Sequence, residues 1–146
     1  MRLIKQTGPH CLVTSAAMCL DVSPDSIHQH LGHAGTDIWW YPNKMRGVHI
    51  QEIIDYAMTR GKTFFPYEVE PMIANSEDTE PRPIYRGQTN IRFAESISGR
   101  VAILITSGHA CAWDGGHIFD PKGFILDLWD YKIHEAWIMA DLIKKV

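Results

Sequence analysis

The 146-residue sequence has no long apolar run, no basic stripe and no paired cysteine motif, and each absence removes a class of function. Without some 20 consecutive apolar residues there is no candidate membrane helix, and Leu3-Ile4 in the opening MRLIKQTGPH is too short for the apolar core of a signal peptide. Net charge is -3, with 21% charged residues spread along the chain, so nothing in the bulk electrostatics calls for nucleic acid. Cys11, Cys19 and Cys111 are odd in number and widely spaced, which excludes a full internal disulfide set and the close C-x-x-C spacing of zinc or redox motifs. Free thiols in a reducing, cytoplasmic setting are expected. No repeat or linker interrupts the chain, and its length suits one domain, residues 1–146, with one core.

What is present begins with Gln6 to Leu20, QTGPHCLVTSAAMCL. Gly8 and Pro9 break regular structure, and Leu12, Ala16, Cys19 and Leu20 then recur at helical spacing, so a helix is expected to open near Cys11. Unpaired backbone N–H groups and the macrodipole at such a point favour a thiolate, which is the reactive form of a cysteine. Gln6, five residues upstream, sits on the loop leading in, where its amide can donate to an oxyanion forming beside the sulfur. The alternative is that Cys11 is a small buried hydrophobe.

Ser23-Pro24-Asp25 supplies a helix start and Gly32 a stop, predicting a two-turn helix. Of its His28, His30 and the following His33, only the 30/33 pair has the spacing by three or four that a helical metal site needs, and Gly32 is expected to end the helix before His33, so they read as a solvated polar face. Residues 35–47, with Trp39, Trp40 and Tyr41, read as an ordered aromatic loop. Residues 49–60 form the clearest amphipathic helix, closed by Gly61. KTFFPYEV at 62–69 favours a strand that Pro66 confines to an edge, and 75–83 reads as a polar surface loop. A short helix is expected over 91–97, stopped by Gly99, and a strand covered on both faces over 101–106. HEAWIM at 134–139 reads as a final strand, with a helix running on to Val146 as the other option.

Gly115-Gly116 between two alternating runs signals a hairpin over 109–114 and 117–120. A two-residue turn pairs Asp114 with His117, Trp113 with Ile118, Ala112 with Phe119 and Cys111 with Asp120. His109 and Cys111 then share a face with Asp120, and His117 falls on the other face. The register therefore selects His109 as the imidazole that Asp120 can orient. An imidazole held by a carboxylate is the partner a nucleophilic cysteine requires. Two surface histidines and an Asp-Pro turn are the plainer alternative.

Gln6 with Cys11 opening a helix, and much later GHACAWDGGHIFDPKG, resemble the papain-like cysteine peptidases, closest to the branch of double-glycine-leader peptidase domains of bacterial transporters. The resemblance implies an α+β fold in which a nucleophile helix packs against an antiparallel sheet. It implies Cys11 as nucleophile, His109 as base, Asp120 as its orienter and Gln6 as oxyanion donor. The implied activity is thiol-dependent cleavage of a peptide or amide bond with no cofactor and no metal, on a peptide or protein substrate. Leu12 stands where family members often carry Gly or Trp, and the Gln-to-Cys spacing is short. The same triad would serve an acyltransferase or transglutaminase-like enzyme, or persist in an idle papain-like binding or inhibitory module.

Overall fold

The structure, a computed structural model, describes residues 1–36, 45–67 and 88–142, the side chains of 88–92 excepted. The aromatic run Trp39-Trp40-Tyr41, the polar loop 75–83 and the final residues 143–146 lie outside the described residues.

The N-terminal half is helical. Helix α1 (Cys11–Leu20) opens where Gly8 and Pro9 stop interrupting the backbone, and it buries all seven residues from Val13 to Cys19. Helix α2 (Pro24–Leu31) follows its predicted signals: Ser23 accepts the Ser26 N–H, Pro24 fills the first position, and Gly32 closes the end in the left-handed conformation. Helix α3 (Ile50–Thr59) turns Ile53, Tyr56 and Ala57 into the core, each large apolar side chain contributing roughly 2 kcal/mol by leaving water.

The C-terminal half is a sheet with one helix. Strand β1 (Lys62–Tyr67) precedes helix α4 (Gln88–Ile97), which starts three residues earlier than its apolar spacing announces. Strands β2 (Ala102–Thr106), β3 (His109–Trp113), β4 (Ile118–Asp120) and β5 (Phe124–Leu126), a 3-10 turn over Leu128–Asp130, and β6 (Glu135–Asp141) complete the chain. Among the described residues these form one antiparallel sheet in the order β1-β6-β2-β3-β4-β5. The fold class is α+β.

The expected final strand is present, and its place is central, between β1 and β2. The reason lies in its side chains. Ala136 and Ile138 enter the core on one face while Trp137 and Met139 pack on the other, so β6 needs cover on both sides. Pro66, lacking an N–H, is tolerated because β1 is an edge strand. Strand β5 was not marked by any periodicity in the sequence; it is three residues long, and Phe124 and Ile125 stay exposed at the opposite edge.

Two cores sandwich the sheet. On one face α1, α2 and α3 pack over Ile103, Ala110, Ala112 and Phe119. On the other, Phe93 and Ile97 of α4 meet Leu104, Cys111, Trp113 and Ile118, and the Trp113 indole donates to the Ile97 carbonyl at 2.8 Å. The hairpin turn is docked against the end of α4, where Gly99 N–H donates to Gly115 O at 2.9 Å. A Cβ on Gly115 would lie 2.9 Å from Gly99 Cα, so only glycine fits that contact.

His33 departs from the solvated face expected of the three histidines. Its side chain is only 6% exposed, accepts the Gly35 N–H at Nδ1 (3.0 Å) and meets Glu52 Oε2 through Nε2 at 2.6 Å. It therefore ties the end of α2 to the start of α3. His28 stands edge-on to His10, ring centroids 4.9 Å apart; His30 is solvent-exposed. Partial burial pushes the Glu52 carboxyl up, but hydrogen bonds from His33 and the His49 N–H, with the nearby His33 and Arg46 charges, outweigh it and leave the group below its ordinary range. A carboxyl depressed by folding contributes stability fully above its unfolded value, near 4.3, and loses it as pH falls through the lower folded value. Glu52→Gln should therefore lower the melting temperature at pH 7 and flatten its decline between about pH 5 and 2, as followed by circular dichroism.

Candidate functional site

The hairpin has the register its two-glycine turn predicts. Ala112 pairs with Phe119 and Trp113 with Ile118, and the Asp114 N–H donates to His117 O at 3.2 Å. Extending that ladder sets Asp120 beside Cys111 and diagonal to His109, and His109 Nε2 lies 2.8 Å from Asp120 Oδ1. His117 sits exposed at the far, turn end of the hairpin.

Asp120 has no exposed surface, and every oxygen is engaged. Oδ1 accepts from His109 and from the Lys122 N–H at 2.8 Å; Oδ2 accepts from the Tyr131 hydroxyl. Burial pushes this carboxyl up, yet the bonds from Tyr131, the Lys122 N–H and His109 more than offset it, so the group titrates below its ordinary value and is ionised at neutral pH. An ionised Asp120 takes the Nε2–H of His109 as donor. Nδ1 forms no hydrogen bond among the described residues.

Cys11 is the first residue of α1 and is partly exposed. The helix direction brings it to the correct end of the sheet. Near the other end of α1, Cys19 Sγ donates to Ala102 O, and Ala102 pairs with Trp113 at the turn end of the hairpin. The start of α1 consequently lies at the His109 end. The preceding loop is anchored there too, since the Gln6 N–H donates to Pro121 O at 2.6 Å, one residue beyond Asp120. All four residues singled out in the sequence thus gather at one end of the sheet.

They do not share one face. Helix α1 packs on the Ala110 and Ala112 side, whereas His109 alternates with Cys111 and Trp113 toward the other. No hydrogen bond joins the Cys11 sulfur to His109. His10, the N-cap of α1, supplies no side-chain acceptor, so the first-turn N–H groups gain no partner from the cap. The Gln6 amide is partly occupied: Nε2 donates to Gly8 O at 2.6 Å, and Oε1 is buried without a partner. Its second N–H remains as a donor.

The other two thiols are sealed. Burial pushes Cys19 up to about 12, and burial, reinforced by the Asp120 and Cys11 charges, drives Cys111 higher still. None of the three cysteines is paired. His109, Cys111 and Asp120 do bring nitrogen, sulfur and oxygen donors within 4.8 Å of one another. With both Asp120 oxygens already taken by three protein donors, this cluster reads as a hydrogen-bonded network rather than a metal centre.

Tyr131 is the residue that sequence reasoning missed. It follows the 3-10 turn, eleven positions after Asp120, where no motif points to it. Its ring also stands edge-on to His109, centroids 6.5 Å apart. No helix among the described residues is long and apolar enough to cross a membrane. Compared with protein-family models, with curated proteins and with solved structures, the chain matches none.

Proposed function

We propose that the chain is a thiol-dependent hydrolase of peptide or amide bonds, built on a papain-like plan and acting in a reducing compartment such as the cytoplasm. The observation that carries the reading is the pair of half-buried His109 and buried Asp120, 2.8 Å apart, with Nδ1 making no hydrogen bond among the described residues, at the end of the sheet where Cys11 begins its helix. In the proposed reaction the Cys11 sulfur adds to the carbonyl carbon and its proton passes to His109 Nδ1. The oxyanion is held by the Cys11 N–H and the second N–H of Gln6. Collapse of the adduct breaks the C–N bond as His109 returns the proton to the leaving amine. Water, deprotonated by His109, then releases the acyl group from sulfur. Acyl transfer to an amine would use the same groups.

Two observations favour an idle binding module instead: no hydrogen bond links Cys11 to His109, and the Gln6 amide is partly engaged with Gly8. Catalytic hydrogen bonds often tighten only around substrate, which leaves the hydrolase reading ahead. Iodoacetamide labelling at neutral pH with mass mapping separates the two. The hydrolase reading expects Cys11 to be modified at least about 10²-fold faster than Cys19 or Cys111 and faster than free cysteine. Cys11 labelling no faster than free cysteine would favour the binding module.

A further inference from the structure

The third partner of the carboxylate is the least expected part of the site. Tyr131 follows the 3-10 turn, gives its hydroxyl to Oδ2, and packs its ring against the same core that holds Cys111 and Ile133. Oδ1, by contrast, serves both His109 and the Lys122 N–H. The two oxygens are thereby made inequivalent, and the carboxylate plane is fixed by three donors from three segments of chain.

We propose that Tyr131 is a positioning residue for the Cys11–His109 reaction: by holding Asp120 Oδ2 it tempers how strongly the carboxylate binds the charged imidazolium. A hydroxyl donating to one oxygen draws negative charge from the carboxylate, so Oδ1 becomes a weaker acceptor for the imidazolium N–H. A base that must give its proton back to a leaving amine gains from that tempering. The groups facing this network are Asp120 on β4, Lys122 in the following turn, Cys111 on β3, Asp130 beside Tyr131 on the 3-10 turn, and Cys11 at the start of α1. Among the described residues Tyr131 is the only hydroxyl that touches the carboxylate.

The inference rests on the reading of His109 as the base, and its test does not require turnover. Tyr131→Phe keeps the ring and removes the donor. The His109 Cε1–H resonance, assigned by its loss in His109→Gln and followed against pH, should then titrate about one pH unit higher than in the wild type, the equivalent of one redistributed charge-assisted hydrogen bond. An unchanged or lower midpoint in the folded variant overturns the proposal. The opposite perturbation guards against a variant that fails to fold. Wild-type protein made with 3-fluorotyrosine carries a more acidic phenol that donates more strongly, and its His109 midpoint should fall; an unmoved midpoint overturns the proposal equally. A tyrosine that merely filled space would shift neither. If the hydrolase reading alone is wrong, both shifts persist in a protein without turnover.

Discussion

Replacing Cys11 by alanine should abolish turnover, by at least ~10⁴-fold, while the thermal midpoint moves by no more than about 2 °C. The chemical loss is complete because no second thiol can substitute: Cys19 and Cys111 are buried and protonated, and their positions in the two cores do not open to solvent. The structural loss is small because Cys11 is partly exposed at the first position of α1, where alanine is at least as good a helix former and the removed sulfur fills no enclosed space. His109→Ala should be nearly as severe for activity, since in the proposed reaction Nδ1 takes the proton and returns it. Turnover of a peptide library with paired melting curves checks both. Activity retained in Cys11→Ala would remove the nucleophile from the account.

The second large effect falls on stability. Asp120→Ala would leave His109 Nε2, the Tyr131 hydroxyl and the Lys122 N–H without their common acceptor, around a carboxylate that has no exposed surface. Unsatisfied buried donors cost about 1–3 kcal/mol each, and since these three relax together a total of about 3–5 kcal/mol is expected. At roughly 2–4 °C per kcal/mol for a chain of this size, the melting temperature should fall by about 10 °C, together with activity. Asp120→Asn should be much milder. The Asn oxygen can still accept from His109 and Lys122, and the Tyr131 hydroxyl, which can rotate, can accept from the new NH₂. Equal destabilisation by Ala and Asn would mean that charge rather than hydrogen bonding holds the centre.

Much of this geometry was legible because short-range rules govern it. Ser23, Pro24 and Gly32 bracket α2, Gly61 follows α3, and the Gly115-Gly116 turn sets a register from which the His109–Asp120 contact follows by alternation alone. Three features were not legible, each because it depends on residues distant in sequence. The insertion of β6 beside β1 is decided by which strand needs cover on both faces. The burial of His33 depends on Glu52, nineteen positions away, meeting it across two helices. Tyr131 reaches Asp120 because β5 and the 3-10 turn fold the chain back, and a three-residue edge strand leaves no periodic trace. The packing of α1 on the Ala110 and Ala112 face of the sheet belongs with these: strand alternation sorts residues on one element but does not say over which face a helix will pack.

The coupling of Cys11 to His109 is the central claim, and one measurement addresses it most directly: the rate of Cys11 alkylation by iodoacetamide between about pH 5 and 9, in wild type and in His109→Ala. The account predicts a wild-type rate that stays high well below the usual titration range of a thiol, near 8.5, and a variant whose rate at pH 6 falls by at least ~10-fold, because the imidazole that accepts the proton is gone. Superimposable profiles for the two proteins, both following an ordinary isolated thiol, would contradict it.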